Sequence, residues 1–131
     1  MWSFSSLWGR NMNNTVSLKK NKDFKRVYNK GKSLADKYLV MYILENGSMI
    51  NRLGISVSKK VGNSVIRHRI TRLVRESYRI REDRYKTGFD MVVVARIRAN
   101  EGTFHDIDRS LKKLSGLHSI LIDTSHKSEM E

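Results

Sequence analysis

Cysteine and proline are both missing from the chain. Without cysteine there is neither a disulfide nor a thiolate metal site, and the redox compartment leaves no mark. Without proline, element boundaries have to be read from glycine, asparagine and serine alone. Long hydrophobic runs are lacking as well. The runs present, such as Met91 to Ala95, are strand-sized, against the roughly 18 apolar residues a membrane span needs. Acidic residues are scarce: 13 Asp and Glu stand against 26 Lys and Arg, a formal charge of +13 with a pI of about 10.3. That excess argues against an enzyme for neutral small molecules and for nucleic acid or an anionic membrane surface. No catalytic constellation stands out. His68, His105, His118 and His126 sit in different segments without metal-ligand spacing. No glycine-rich loop precedes a Lys-Ser/Thr pair, and Glu82-Asp83 reads as a solvated helix end. At 131 residues with 39% hydrophobic content, one domain with a modest core is expected.

What is there is concentrated between Arg52 and Arg81. Leu53-Gly54-Ile55-Ser56-Val57-Ser58 alternates apolar and small residues with the period of a half-buried strand. Lys59-Lys60-Val61-Gly62-Asn63 breaks the pattern, and Asn63 is a good helix N-cap. From Ser64 the period becomes helical. Ile66, Ile70, Leu73, Ser77 and Ile80 form one apolar or small face, and His68, Arg72, Arg75 and Arg79 the opposite one, flanked by Arg67 and Arg69. From Lys59 to Lys86 ten residues are Lys or Arg and three are acidic, so the first four turns are nearly all basic. Like charges four apart repel by a few tenths of a kcal/mol per pair. Folding alone does not favour such a face, and a bound polyanion would relieve it.

Those residues carry a resemblance. Ser56-Val57-Ser58-Lys59-Lys60-Val61-Gly62-Asn63-Ser64-Val65, then Arg67-His68-Arg69 and Arg72 with Arg75-Glu76, resemble the signature of the bacterial ribonuclease P protein subunit. His68 stands where that family has Asn, between two arginines, and Thr71 and Leu73 stand where basic residues are common. The resemblance covers roughly Ser17 to Leu121. It implies an RNA-binding face made of Lys59, Lys60, Asn63, Arg67, His68, Arg69, Arg72, Arg75 and Arg79.

Ahead of this stretch, Asn21 can cap a short helix that ends at Gly31, with Phe24, Val27 and Tyr28 at i, i+3 and i+4. Seven basic residues between Lys19 and Lys32 face the single acid Asp23. Core packing is the better reading for Val27. Tyr38 to Leu44 alternates as a strand, with Leu39, Met41 and Ile43 on the core face and Tyr38, Val40 and Tyr42 on the other. In the family, aromatics at the positions of Phe24, Tyr28 and Tyr42 line a cleft for the single-stranded leader of a precursor tRNA, by stacking of bases beside cations. Asn46-Gly47-Ser48 is a turn. Phe89 to Arg96, with a continuous apolar middle, suits a central strand covered on both faces. Thr103 with Asp106 three residues on is close to a capping box, opening a helix with Phe104, Ile107, Leu111 and Leu114 on its apolar face, and Leu121 follows.

The expected architecture is α+β, a two-layer sandwich. The resemblance implies a mixed four-stranded sheet with helices on one side and a left-handed βαβ crossover around the basic helix, the ribosomal protein S5 domain 2-like fold. The default rule alone would make that crossover right-handed. Residues 1–15 are expected as an N-terminal extension, 16–122 as the RNA-binding domain and 123–131 as a polar tail. Within the extension, Met12 is a candidate start. The alternative is an arm whose Trp2, Phe4 and Trp8 dock on the domain.

The function implied by the resemblance is that of the protein subunit of ribonuclease P. Its partners would be the ribonuclease P RNA and precursor tRNA, with no membrane and no small-molecule substrate. The particle would remove the 5′ leader endonucleolytically in the cytoplasm, using Mg²⁺ held mainly by the RNA, with no catalytic or metal-ligating residue on the protein. A ribosomal or other structural RNA-binding protein is the alternative. A DNA-binding helix-turn-helix is disfavoured, since no turn-linked helix precedes the basic one.

Overall fold

The computed structural model describes residues 14–122. The expectations for residues 1–13 and for the tail from 123 onward, including Trp2, Phe4, Trp8, Met12 and His126, lie outside these residues. In chain order the elements are β1 (Thr15–Ser17), α1 (Asn21–Lys30), β2 (Lys32–Ala35), β3 (Leu39–Glu45), β4 (Asn51–Ser56), α2 (Ser64–Arg79), β5 (Phe89–Ala95) and α3 (Phe104–Leu117). Short 3₁₀ turns at Glu82–Arg84 and Ile97–Glu101 flank β5.

The class is α+β, as expected, but the sheet has five strands rather than four, in the order β1-β4-β5-β3-β2. Both of its edge strands are short. β1 is three residues long and pairs parallel to β4, and β2, exposed along its whole length, pairs antiparallel to β3. In the centre β4 and β5 run parallel, with Ser56 opposite Val94, and α2 makes the crossover between them.

Strand alternation divides the core in two. Leu39, Met41 and Ile43 of β3, with Met91, Val93 and Ala95 of β5, face α2 and α3, where Ile70, Val74, Tyr78, Ile107, Leu111 and Leu114 meet them. The opposite face of β5 presents Val92, which packs with Leu18 and Val27, joined by Phe24, Tyr42, Leu44 and Val94. The first helix therefore lies on the other side of the sheet from α2 and α3, a correction to an arrangement with all helices on one side. β5 is covered on both faces, which is why its middle is continuously apolar.

The caps are mostly where the residue types put them. Thr103 and Asp106 form a full capping box at the start of α3. The N-cap of α1 is Lys20, one residue before Asn21, and no side chain caps it.

Candidate nucleic-acid interface

Helix α2 begins at a tight turn. The Asn63 side chain accepts from the Ile66 amide at 3.0 Å, so its oxygen is spent on capping the helix. A Cβ on Gly62 would come within 2.8 Å of Ile66 Cγ2, so only glycine lets the turn pack against the first helical residues.

The helix is rotated relative to the sequence expectation. Its buried residues are Ile70, Val74, Ser77 and Tyr78, while Ile80, assigned to the apolar face, is 48% exposed. His68, Arg69 and Arg72 point outward. Arg75 does not. It is half-buried, and that burial, followed by the charge of Arg72, pushes its guanidinium down to about 10. The stripe of His68, Arg72, Arg75 and Arg79 is thus split.

Several of its cations have structural employment. Arg79 is paired to Glu76 at 2.5 Å and 2.9 Å. Arg69 donates to the carbonyls of Asn100 and Gly102 at 2.9 and 3.2 Å, tying α2 to the segment before α3. Arg67 donates to the Gly62 carbonyl at 2.9 Å. Lys59, Lys60 and Arg72 are exposed and form no ion pair among the described residues.

A further basic group was not visible in the sequence. The parallel pairing of β4 and β5 brings Arg96 and Arg98 to the same end of the sheet as Lys60. With Lys37 and Ser58 they line a cleft that has no carboxylate among its lining residues. The signal that could have found it is the rule that ligands gather outside the carboxyl ends of parallel strands. It needs the strand order first.

The three aromatic candidates do come together, on the opposite face of the sheet. Tyr28 meets Tyr42 edge-on with ring centroids 4.9 Å apart, and Phe24 lies 6.3 Å from Tyr28. Tyr28 is 37% exposed and the other two are half-buried, so the cluster is a partly open surface between α1 and the sheet. Its floor is Gly54, where a Cβ would come 2.6 Å from Phe24 Cζ. Beside it, buried Asp90 receives Arg26 and Arg52 at 2.5 and 2.6 Å and Asn46 at 3.0 Å, and Arg52 also reaches Asp23. Sequence reading missed this network, since a lone Asp inside an apolar strand gives no hint of its partners.

Comparison with known proteins bears directly on this arrangement. The family model described as Ribonuclease P matches residues 12–117. The ribonuclease P protein component of Clostridioides difficile is 52% identical over 103 residues, covering 78% of this chain and 90% of the relative. That of Lachnoclostridium phytofermentans is 53% identical over 105 residues, covering 80% and 90%. The chain belongs to the ribonuclease P protein component family. Solved ribonuclease P proteins share its fold. The Staphylococcus aureus protein superimposes with a TM-score of 0.76 at 38% identity, over 80% of this chain and 96% of that one. The Thermotoga maritima protein does so with 0.70 at 32% identity, over 76% and 96%. In this ribonuclease P protein the signature run from Ser56 to Val65 is therefore the end of β4, the turn and the capped start of α2.

Among the described residues no three His, Asp or Glu side chains are grouped so as to hold a metal ion, and no helix is long and apolar enough to cross a membrane.

Proposed function

We propose that the chain serves as the RNA-binding subunit of ribonuclease P, holding the ribonuclease P RNA on its basic helix and the 5′ leader of precursor tRNA in its aromatic cleft. The observation that carries the reading is the meeting of Phe24, Tyr28 and Tyr42, with centroids 4.9 and 6.3 Å apart, on a partly open surface of a strongly cationic member of this family. A single strand presents the faces of its bases, and aromatic side chains beside cations bind such faces with little regard to sequence. A duplex hides them.

The cations divide the work. Lys59, Lys60, Arg67 and Arg72, with Lys37, Arg96 and Arg98 at the sheet end, neutralise phosphates and lower the repulsion between two RNAs held close together. Arg69 and Arg79 act first on the fold, through the bonds described above. Asn63 acts through the cap that orients α2, and its amide group remains to donate. Arg75 adds charge from a half-buried position where an anion would offset its desolvation. His68 stands at the outward centre of the Arg67-His68-Arg69 run. In this reading the Mg²⁺ needed for hydrolysis belongs to the RNA, the particle works in the cytoplasm, and no step is assigned to a metal on this chain.

The test is reconstitution. The purified protein is added to a cognate ribonuclease P RNA at a low Mg²⁺ concentration where the RNA alone cleaves precursor tRNA poorly. Restored cleavage at the mature 5′ end is expected. RNA binding without any gain in cleavage would instead mark a structural RNA-binding protein.

A further inference from the structure

On the sheet face that carries α2 and α3, a second cleft opens between the β2–β3 turn and α3. Asp36, Lys37 and Tyr38 line one side, and Asp106, Arg109, Ser110 and Lys113 the other.

Each of the two carboxylates in this cleft has one oxygen engaged internally, and the cleft's cations outnumber them three to two. Asp36 accepts from Ser110 Oγ at 2.7 Å and from the amides of Tyr38 and Leu39 at 2.9 and 3.1 Å. Burial would raise its carboxyl, yet those bonds and the charge of Lys113 hold it below its ordinary value. Asp106 accepts from the Thr103 amide at 3.0 Å in the capping box. The three cations, Lys37, Arg109 and Lys113, are exposed, and none forms an ion pair among the described residues. The Ser110–Asp36 bond fastens the turn to α3, so the cations stand on a fixed floor.

The cleft also continues the basic sheet end. Lys37 lines both clefts. Arg96, from the first cleft, donates to the Asp36 carbonyl of the second at 2.8 Å. The one aromatic here, Tyr38, is half-buried, and Lys37 Nζ stands 5.1 Å from its ring centroid. Its face is therefore shared with a cation rather than open to a base. A surface with cations and no free stacking platform suits the backbone of folded RNA better than a single strand.

We propose that the cleft between the β2–β3 turn and α3 is a second RNA site, which holds backbone phosphates of the ribonuclease P RNA rather than the precursor leader. It rests on the RNA-subunit reading above. It extends the RNA-binding surface from Lys60 around the end of the sheet to α3.

The experiment uses the full chain in two double variants, Arg109→Ala/Lys113→Ala and, for reference, Lys60→Ala/Arg72→Ala. Dissociation constants for a cognate ribonuclease P RNA are measured over a KCl series, with thermal midpoints as a fold control. Two lost phosphate contacts should reduce the log–log salt slope of the α3 variant by about 1.4 to 1.8, at roughly 0.7 to 0.9 each. The thermal midpoint and the preference of the assembled particle for precursor over mature tRNA should stay as in the parent. An unchanged slope and affinity in the α3 variant, with loss in the reference variant, overturns the second site alone. A loss that appears only with precursor tRNA and grows with leader length overturns the assignment to the RNA subunit. If neither variant loses affinity, the RNA-subunit reading falls as well.

Discussion

Asp90 has no exposed side-chain surface, yet it is charged and belongs to a strand that is otherwise apolar. Its oxygens take Arg52 Nε at 2.8 Å and Nη2 at 2.6 Å, Arg26 Nη2 at 2.5 Å and Asn46 Nδ2 at 3.0 Å. Arg26 comes from α1, so the carboxylate pins that helix to the sheet. Burial would raise the Asp90 carboxyl, but the bonds from Arg52 and Asn46 and the charges of Arg52 and Arg26 hold it below its ordinary value of 3.8. A carboxyl depressed on folding contributes stability that is complete above its unfolded value and is lost as pH falls through the folded one. Asp90→Asn should therefore destabilise the protein near neutral pH by about 3 kcal/mol, the low end for a broken buried pair because both guanidiniums keep access to water. It should also flatten the loss of stability that the parent shows as pH falls below the ordinary aspartate value. Chemical denaturation at several pH values measures both, and a profile parallel to the parent would deny Asp90 this role.

Arg69 and Arg72, both outward on α2, part company by the same kind of reasoning. Arg69 holds two carbonyls, so Arg69→Ala should lower stability by about 1.5 to 3 kcal/mol, the range for hydrogen bonds from a charged donor. Arg72→Ala should leave stability within about 0.5 kcal/mol of the parent. It should reduce the salt slope of RNA binding by roughly 0.7 to 0.9. Denaturation and salt titration of the two variants should show this crossed pattern, and a common pattern would contradict the division.

At the level of elements, the aromatic cleft depends on the close approach of α1 to β4, which Gly54 permits. Gly54→Ala would place a methyl group 2.6 Å from the tip of the Phe24 ring, and the ring has to move. Affinity for precursor tRNA should fall by no more than the worth of one base stack, about 1 to 3 kcal/mol, while affinity for mature tRNA stays. Equal losses for both RNAs would assign Gly54 to general packing.

This dependence also explains what could be read in advance. Alternation in β3 sorted Leu39, Met41 and Ile43 to the core face, and Thr103 and Asn63 announced their helix starts, because those signals are local. The edge strands escaped notice, since β1 has three residues and β2 buries nothing that would imprint a period. The face of the sheet that α1 chooses is set by Val27 packing with Val92 and by Arg26 pairing with Asp90, each across more than sixty residues and beyond any window of sequence. The rotation of α2 turns on Val74 and Tyr78, which go inward and leave Arg75 half-buried beside them. The burial reaches the Arg75 guanidinium itself, which the arginine spacing alone could not show.

Across the whole molecule, acids and bases have different fates. Asp23, Asp36, Glu76, Glu82, Asp90, Asp106 and Asp108 are all engaged in internal hydrogen bonds or ion pairs. Among the described residues the surplus of positive charge is therefore carried by exposed side chains such as Lys59, Lys60, Arg72, Arg109 and Lys113. Such a surplus destabilises the compact state by self-repulsion. Raising KCl from about 50 to 300 mM shortens the screening length and should raise the thermal midpoint while weakening RNA binding. A midpoint that falls together with the affinity would mean that the internal pairs outweigh the surface repulsion.

The most direct test of the aromatic cleft compares precursor and mature tRNA. The particle is assembled from a cognate ribonuclease P RNA and either the parent protein or the variants Phe24→Ala and Tyr42→Ala, and its affinity for both tRNAs is measured at fixed salt and Mg²⁺. The expected result is a loss of about 1 to 3 kcal/mol per variant with precursor tRNA, with mature tRNA unaffected and thermal midpoints showing folded protein. Losses of equal size with both tRNAs, or none with either, would contradict leader recognition by this cleft.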